Sequence, residues 1–99
     1  MTRTDDTRAQ ELSQRIGYVF QSSTLALEAL THRSRAVRNN ERLEFLGDSV
    51  LNLVVAQILF DRHPQLPEGE LSRIRAGLVN REALLQIAQQ LRLGELLRL

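Results

Sequence analysis

The chain has 99 residues, 42% of them hydrophobic, with 13 basic and 12 acidic side chains for a net charge of +1, and no cysteine. That bounds it to one small domain with a modest core and excludes a disulfide framework or thiol chemistry. The near-neutral balance also excludes binding of nucleic acid by bulk charge, so a polyanion would need a local basic patch.

The opening MTRTDDTRAQELS has no apolar run of the signal-peptide kind. A helix is predicted over Asp6–Ile16, with Ala9, Leu12 and Ile16 at helical spacing and Gly17 as its stop. Ser23 or Thr24 is placed to cap a short helix through Leu30, with Leu27 and Leu30 inward. The polar, basic stretch Thr31–Arg38 (THRSRAVR) reads as a loop. Asn39 or Asn40 then caps a long helix to about Arg62, ended by His63-Pro64-Gln65-Leu66-Pro67, since proline cannot continue the hydrogen-bond ladder. A fourth helix starts at Glu68 or Glu70 and runs to Val79, with Leu71, Ile74 and Leu78 on one face. Asn80 or Arg81 opens a fifth, with Leu84, Leu85, Ile87, Ala88 and Leu91 inward and Gly94 as its break. No period-2 run bounded by turns competes, so the fold class is all-α.

The long helix carries the chemistry. Glu41, Glu44 and Asp48 sit at offsets of 0, 3 and 7, which helical rotation gathers on one stripe. Like charges at such spacing destabilise a helix by roughly 0.2–0.5 kcal/mol per pair. Three acids on a helix are ordinarily a solvated face. The alternative is a divalent cation for them to hold. Arg42 is the only basic residue among them, and the following Leu51–Phe60 (LNLVVAQILF) is apolar but for Asn52 and Gln57. Such a segment belongs in the middle of a bundle, and carboxylates at its entrance would be partly desolvated, which ionised groups tolerate only when paired or metal-bound. Leu51–Phe60 is too short to span a bilayer, so no membrane partner is expected. Absence of cysteine is compatible with a reducing cytoplasm, the expected location.

The run Asn40–Leu51, NERLEFLGDSVL, resembles the signature motif of bacterial ribonuclease III, the endonuclease that cuts double-stranded RNA. Ile16-Gly17-Tyr18-Val19-Phe20, Ala29-Leu30-Thr31-His32-Arg33-Ser34 and Glu68-Gly69-Glu70-Leu71-Ser72-Arg73-Ile74-Arg75-Ala76 look like further blocks of that family, in order, so the likeness runs from about Leu12 to Leu99. It implies a helical bundle like the family's endonuclease domain. It also implies a truncated one. Residues 1–99 would form a partial catalytic domain lacking the second acidic motif and the double-stranded-RNA-binding domain, hence an inactive piece of a Mg²⁺-dependent endoribonuclease, with Mn²⁺ as an alternative metal. The substrates implied are ribosomal and other structured RNAs. A rival from another class is a non-catalytic dimerisation or RNA-binding module.

The resemblance also assigns roles. Glu44 and Asp48 match catalytic, metal-site carboxylates, and their spacing of four lets them share one ion. Glu41 matches a further acidic position near the site. Phe45 is either core or, by the resemblance, an aromatic inserted into a partner subunit, with Leu46 and Val50 sharing the interface of a homodimer. Arg33, Arg35 and Arg38 before the acidic helix, and Arg73 after it, either contact RNA phosphates or form a solvated face and salt bridges to acids. His32 is either a local hydrogen-bonder or an RNA contact. Gly47 allows close approach beside the site or is simply a small residue between helices. Glu68 matches an acidic family position but also suits a helix N-terminus, and is not assigned to catalysis.

Overall fold

The computed structural model describes residues 4–99. It is all-helical: α1 (Asp5–Ile16), α2 (Ser23–Ala29), α3 (Glu41–Arg62), α4 (Glu68–Leu78) and α5 (Arg81–Gln90), followed by a 3-10 turn at Leu93–Leu96.

Local signals explain most boundaries. Thr4 caps α1 by accepting the Thr7 N–H, and Asp5 and Asp6 complement the positive end of the helix. Gly17 ends it in the left-handed region at φ 69°, where a side chain is disfavoured. The cap of α2 is Ser22, whose hydroxyl accepts the Leu25 N–H at 3.2 Å, not Ser23 or Thr24 as expected. Asn80 accepts the Ala83 N–H at 2.8 Å and also donates to the Ala76 carbonyl at 2.9 Å. One side chain thus ends α4 and starts α5. The fifth helix stops at Gln90, short of Gly94; the turn is made by Arg92, in the left-handed region at φ 55°.

The core lies at one end. Ala9 and Leu12 of α1, Ala26 and Leu30 of α2, and Leu96 are buried together, with Phe20 and Leu93 against them. Leu96 is fully enclosed, at 0% exposure. Two arginines seven apart on α1 hold this C-terminal segment by its backbone. Arg8 donates to the carbonyls of Leu96 and Leu97 at 2.9 and 3.1 Å, and Arg15 donates to the carbonyl of Arg92. Arg98 then runs beside Thr31 in an isolated parallel bridge.

α3 leaves this unit and pairs with α4. With 22 residues it is about 33 Å long, and the radius of gyration is 15.8 Å against about 13 Å for a compact chain of this length. The expectation that Leu51–Phe60 lies mid-bundle is therefore corrected. Only Leu59 of α3 is buried, while Leu46, Val50, Leu53, Val54, Ile58 and Phe60 are exposed. One neighbour, α4, cannot cover an apolar surface that goes all the way round. Leu85 and Ile87, expected inward, are exposed as well, as are Ile16 and Leu78. Taken whole, α3 is long and apolar enough, by length and composition, to cross a membrane, with a mean hydropathy of 1.6 over its most apolar stretch. The shorter Leu51–Phe60 alone did not suggest this.

Candidate active site on the acidic helix

α3 is continuous from Glu41 to Arg62, so the spacing of Glu41, Glu44 and Asp48 puts them along one side of its first two turns. All three are exposed. The expected desolvation is absent, because the first turns of α3 present these side chains to solvent. Among the described residues, the side chains of Glu44 and Asp48 hold no hydrogen bond or ion pair, while Glu41 faces Arg33 at 3.6 Å. No group of three or more His, Asp or Glu side chains able to hold a metal is found among the described residues. What the chain presents is two hard oxygen donors on open surface, one helical turn apart.

Two clefts lie elsewhere. One of about 480 Å³ lies against α1 and the start of α2, lined by Asp6, Gln10, Ser13, Gln14, Phe20 and Ser23; the other, of about 210 Å³, lies between α3 and α4. Neither includes Glu44 or Asp48. An open acidic ridge suits a bulky ligand better than an enclosed small molecule.

The basic candidates are mostly occupied by carboxylates. Besides Arg33 and Glu41, Arg38 pairs with Glu28 at 3.4 Å and Arg73 with Glu70 at 3.0 Å. Arg35 is exposed in the same loop. His32 is a local hydrogen-bonder, its Nδ1 lying 2.8 Å from the Ser34 hydroxyl and accepting the Ser34 N–H at 3.1 Å. Phe45 is 80% exposed, so it is not core of this chain. Leu46 and Val50 are exposed too, and the Cβ position of Gly47 is open.

A family model described as ribonuclease-III-like matches residues 22–99. The chain belongs to the ribonuclease-III-like family. It is 55% identical over 94 residues to ribonuclease 3 of Chromobacterium violaceum, covering 95% of this chain and 40% of that protein. With ribonuclease 3 of Thiobacillus denitrificans it shares 61% over 88 residues, covering 89% and 39%. It superposes with a TM-score of 0.83 and 46% identity on a nuclease domain of ribonuclease III from Campylobacter jejuni, covering 89% of this chain and 62% of that one. That structure is described for flexibility in a region involved in dimer formation. A second structure of the same domain gives 0.81, also at 46% identity, covering 89% and 60%. The chain thus spans about two fifths of the length of these curated relatives. The ribonuclease-III-like match takes in Glu41, Glu44, Phe45, Asp48 and the four arginines.

Thr31 was missed from the sequence. It is buried at 1% exposure, with its hydroxyl on the Leu27 carbonyl at 2.6 Å. Its signal is a hydroxyl directly after the apolar helix end Ala29-Leu30, which reads equally well as the first residue of a loop.

Proposed function

We propose that these residues form part of the nuclease domain of a ribonuclease III, a Mg²⁺-dependent endoribonuclease that cuts double-stranded RNA such as ribosomal precursors in the cytoplasm. The observation that carries this is the pair Glu44 and Asp48, one turn apart on a continuous exposed helix, inside a chain of this family. Mg²⁺ prefers carboxylate and water oxygens in octahedral array, and the two side chains fit it as partial ligands. When bound, the ion supplies an activated water and stabilises charge on the phosphate and the leaving oxygen. Mn²⁺ suits the same donors.

The chain's own residues do the remaining work. Glu44 and Asp48 would hold the ion on the α3 face. Glu41 adds negative charge one turn earlier and holds Arg33. Arg33, Arg35, Arg38 and Arg73 supply phosphate contacts, which fix the position of a duplex without reading its sequence. Phe45, Leu46 and Val50 form a homodimer interface, whose two-fold axis suits a duplex to be cut on both strands.

For the chain by itself one observation favours the rival, a non-catalytic dimerisation or RNA-binding module. With no cluster of three metal-binding side chains among the described residues, two carboxylates alone should hold Mg²⁺ weakly. Incubating the 99-residue chain and the full-length protein with duplex RNA and Mg²⁺ tests both statements. The full-length protein is expected to cleave and the 99-residue chain to be inert. A full-length protein that binds duplex RNA without cutting it would support the module instead.

A further inference from the structure

Arg73 and Arg75 of α4 stand two residues apart, and only the first has a partner. Arg73 is exposed and paired with Glu70 at 3.0 Å. Two residues of helix are about 200° of rotation, so Arg75 lies on the other side of α4. There it is half-buried and lines the cleft of about 210 Å³ between α3 and α4. Among the described residues its guanidinium has no hydrogen bond or ion pair. Ser72, one turn earlier, lines the same cleft and is half-buried. Its hydroxyl is also without a partner among the described residues.

Residues three apart on a helix are neighbours, so this hydroxyl and this guanidinium can meet one ligand. An arginine fork beside a hydroxyl suits an oxyanion. The remaining wall, Leu59, Phe60 and Leu71, is apolar, and a lowered local dielectric strengthens such a contact. Glu68 lines the cleft too, but about 10 Å along α4 from Arg75.

The place of the cleft says which anion it would meet. Leu59 is the buried residue of α3. It follows Glu41 by eighteen residues, which is five whole turns. It follows Asp48 by eleven, which leaves the two about 20° apart in rotation. The cleft therefore lies on the acid-bearing side of α3, about 16 Å along the axis from Asp48.

We propose that Ser72 and Arg75 form a phosphate-binding subsite, which takes a backbone phosphate of the duplex assigned to Glu44 and Asp48. This rests on the function proposed above. Dedicated RNA-binding modules contact a duplex over about 16 base pairs, so a duplex along this side of α3 reaches both places. The contact positions the duplex along the helix and reads no sequence.

The test uses the full-length protein and a duplex RNA in EDTA, so that no cleavage intrudes. Affinity is measured over a range of KCl concentrations, with melting temperatures on the same samples. Arg75→Met keeps an apolar stem and removes the charge. It is expected to lower affinity about tenfold at fixed salt. The slope of log affinity against log salt should become shallower by about one, with the melting temperature nearly unchanged. Arg75→Lys keeps the charge but not the fork, so it should restore the slope and only part of the affinity. Ser72→Ala should lower affinity about threefold with the slope unchanged. If Arg75→Met alters neither affinity nor slope, the arginine stem merely covers apolar surface and the inference is overturned. A much lower melting temperature with an unchanged slope also overturns it, since the guanidinium then serves a partner within the protein. If the wild-type protein does not bind duplex RNA at all, the proposed function falls and this inference with it. If the wild type binds and the Arg75→Met slope is unchanged, this inference alone falls.

Discussion

Arg33 lies 3.6 Å from Glu41, so an arginine assigned to RNA phosphate is held, without RNA, by a carboxylate of the acidic helix. Both side chains are exposed, and exposed pairs of this kind contribute about 0–1 kcal/mol. A duplex can exchange the carboxylate for a phosphate at little cost. Under the proposed function, the pair keeps the guanidinium beside the acids until a phosphate takes the carboxylate's place.

Replacing Arg33 and Arg38 together with alanine in the full-length protein should therefore leave the melting temperature almost unchanged. Duplex affinity should fall, and the slope of log affinity against log salt should become shallower by about one for each phosphate that is no longer neutralised. Titrating a duplex RNA at several KCl concentrations gives that slope directly. If it does not change, the arginines belong to an ordinary solvated face.

Phe45 gives a contrast between subunit and assembly. Truncating a buried phenylalanine costs about 3–5 kcal/mol, but this ring is 80% exposed in the single chain. Phe45→Ala in the full-length protein should shift dimer toward monomer, with helicity and monomer stability nearly unchanged. Sedimentation across a range of concentrations, with circular dichroism on the same samples, separates the effects. A variant that stays dimeric but melts much earlier would show the ring to be packed as core and not at a subunit interface.

Two glycines should respond to alanine with opposite sign. Gly77 lies inside α4, and a Cβ there meets nothing within 4 Å, so Gly77→Ala should stabilise by about 0.4–1 kcal/mol. Gly17 is equally open but sits at φ 69°, where an added side chain costs roughly 1–2 kcal/mol. Urea midpoints of the two variants should move in opposite directions. Destabilisation by Gly77→Ala would mean that the space beside Gly77 is filled in solution.

What was legible in the sequence was mostly local. Pro64 and Pro67 ended α3, Asn80 opened α5 and Gly17 closed α1, because each acts on its own few residues. The acidic stripe was legible too, since α3 is one unbroken helix and spacing alone fixes the shared side. Its exposure was not. An apolar run such as Leu51–Phe60 says that a surface wants cover, but not whether this chain supplies it, and here α4 covers only part. The hold of Arg8 on Leu96 was invisible because its partner is a backbone carbonyl 88 positions away. The role of Arg92 in ending α5 was hidden because left-handed backbone at a non-glycine residue leaves little mark in the sequence.

The claim that Glu44 and Asp48 together hold the metal for cleavage of duplex RNA is tested most directly by single-turnover cleavage across a Mg²⁺ titration. Wild-type full-length protein would be compared with Glu44→Gln and Asp48→Asn, with duplex affinity measured separately in the absence of Mg²⁺. Both changes remove a metal-binding charge and keep the side chain's shape. The prediction is duplex affinity close to wild type with cleavage reduced by at least about a hundredfold, beyond the 10–100-fold that loss of a merely supporting group costs. Near-normal cleavage by both variants at limiting Mg²⁺ would contradict it.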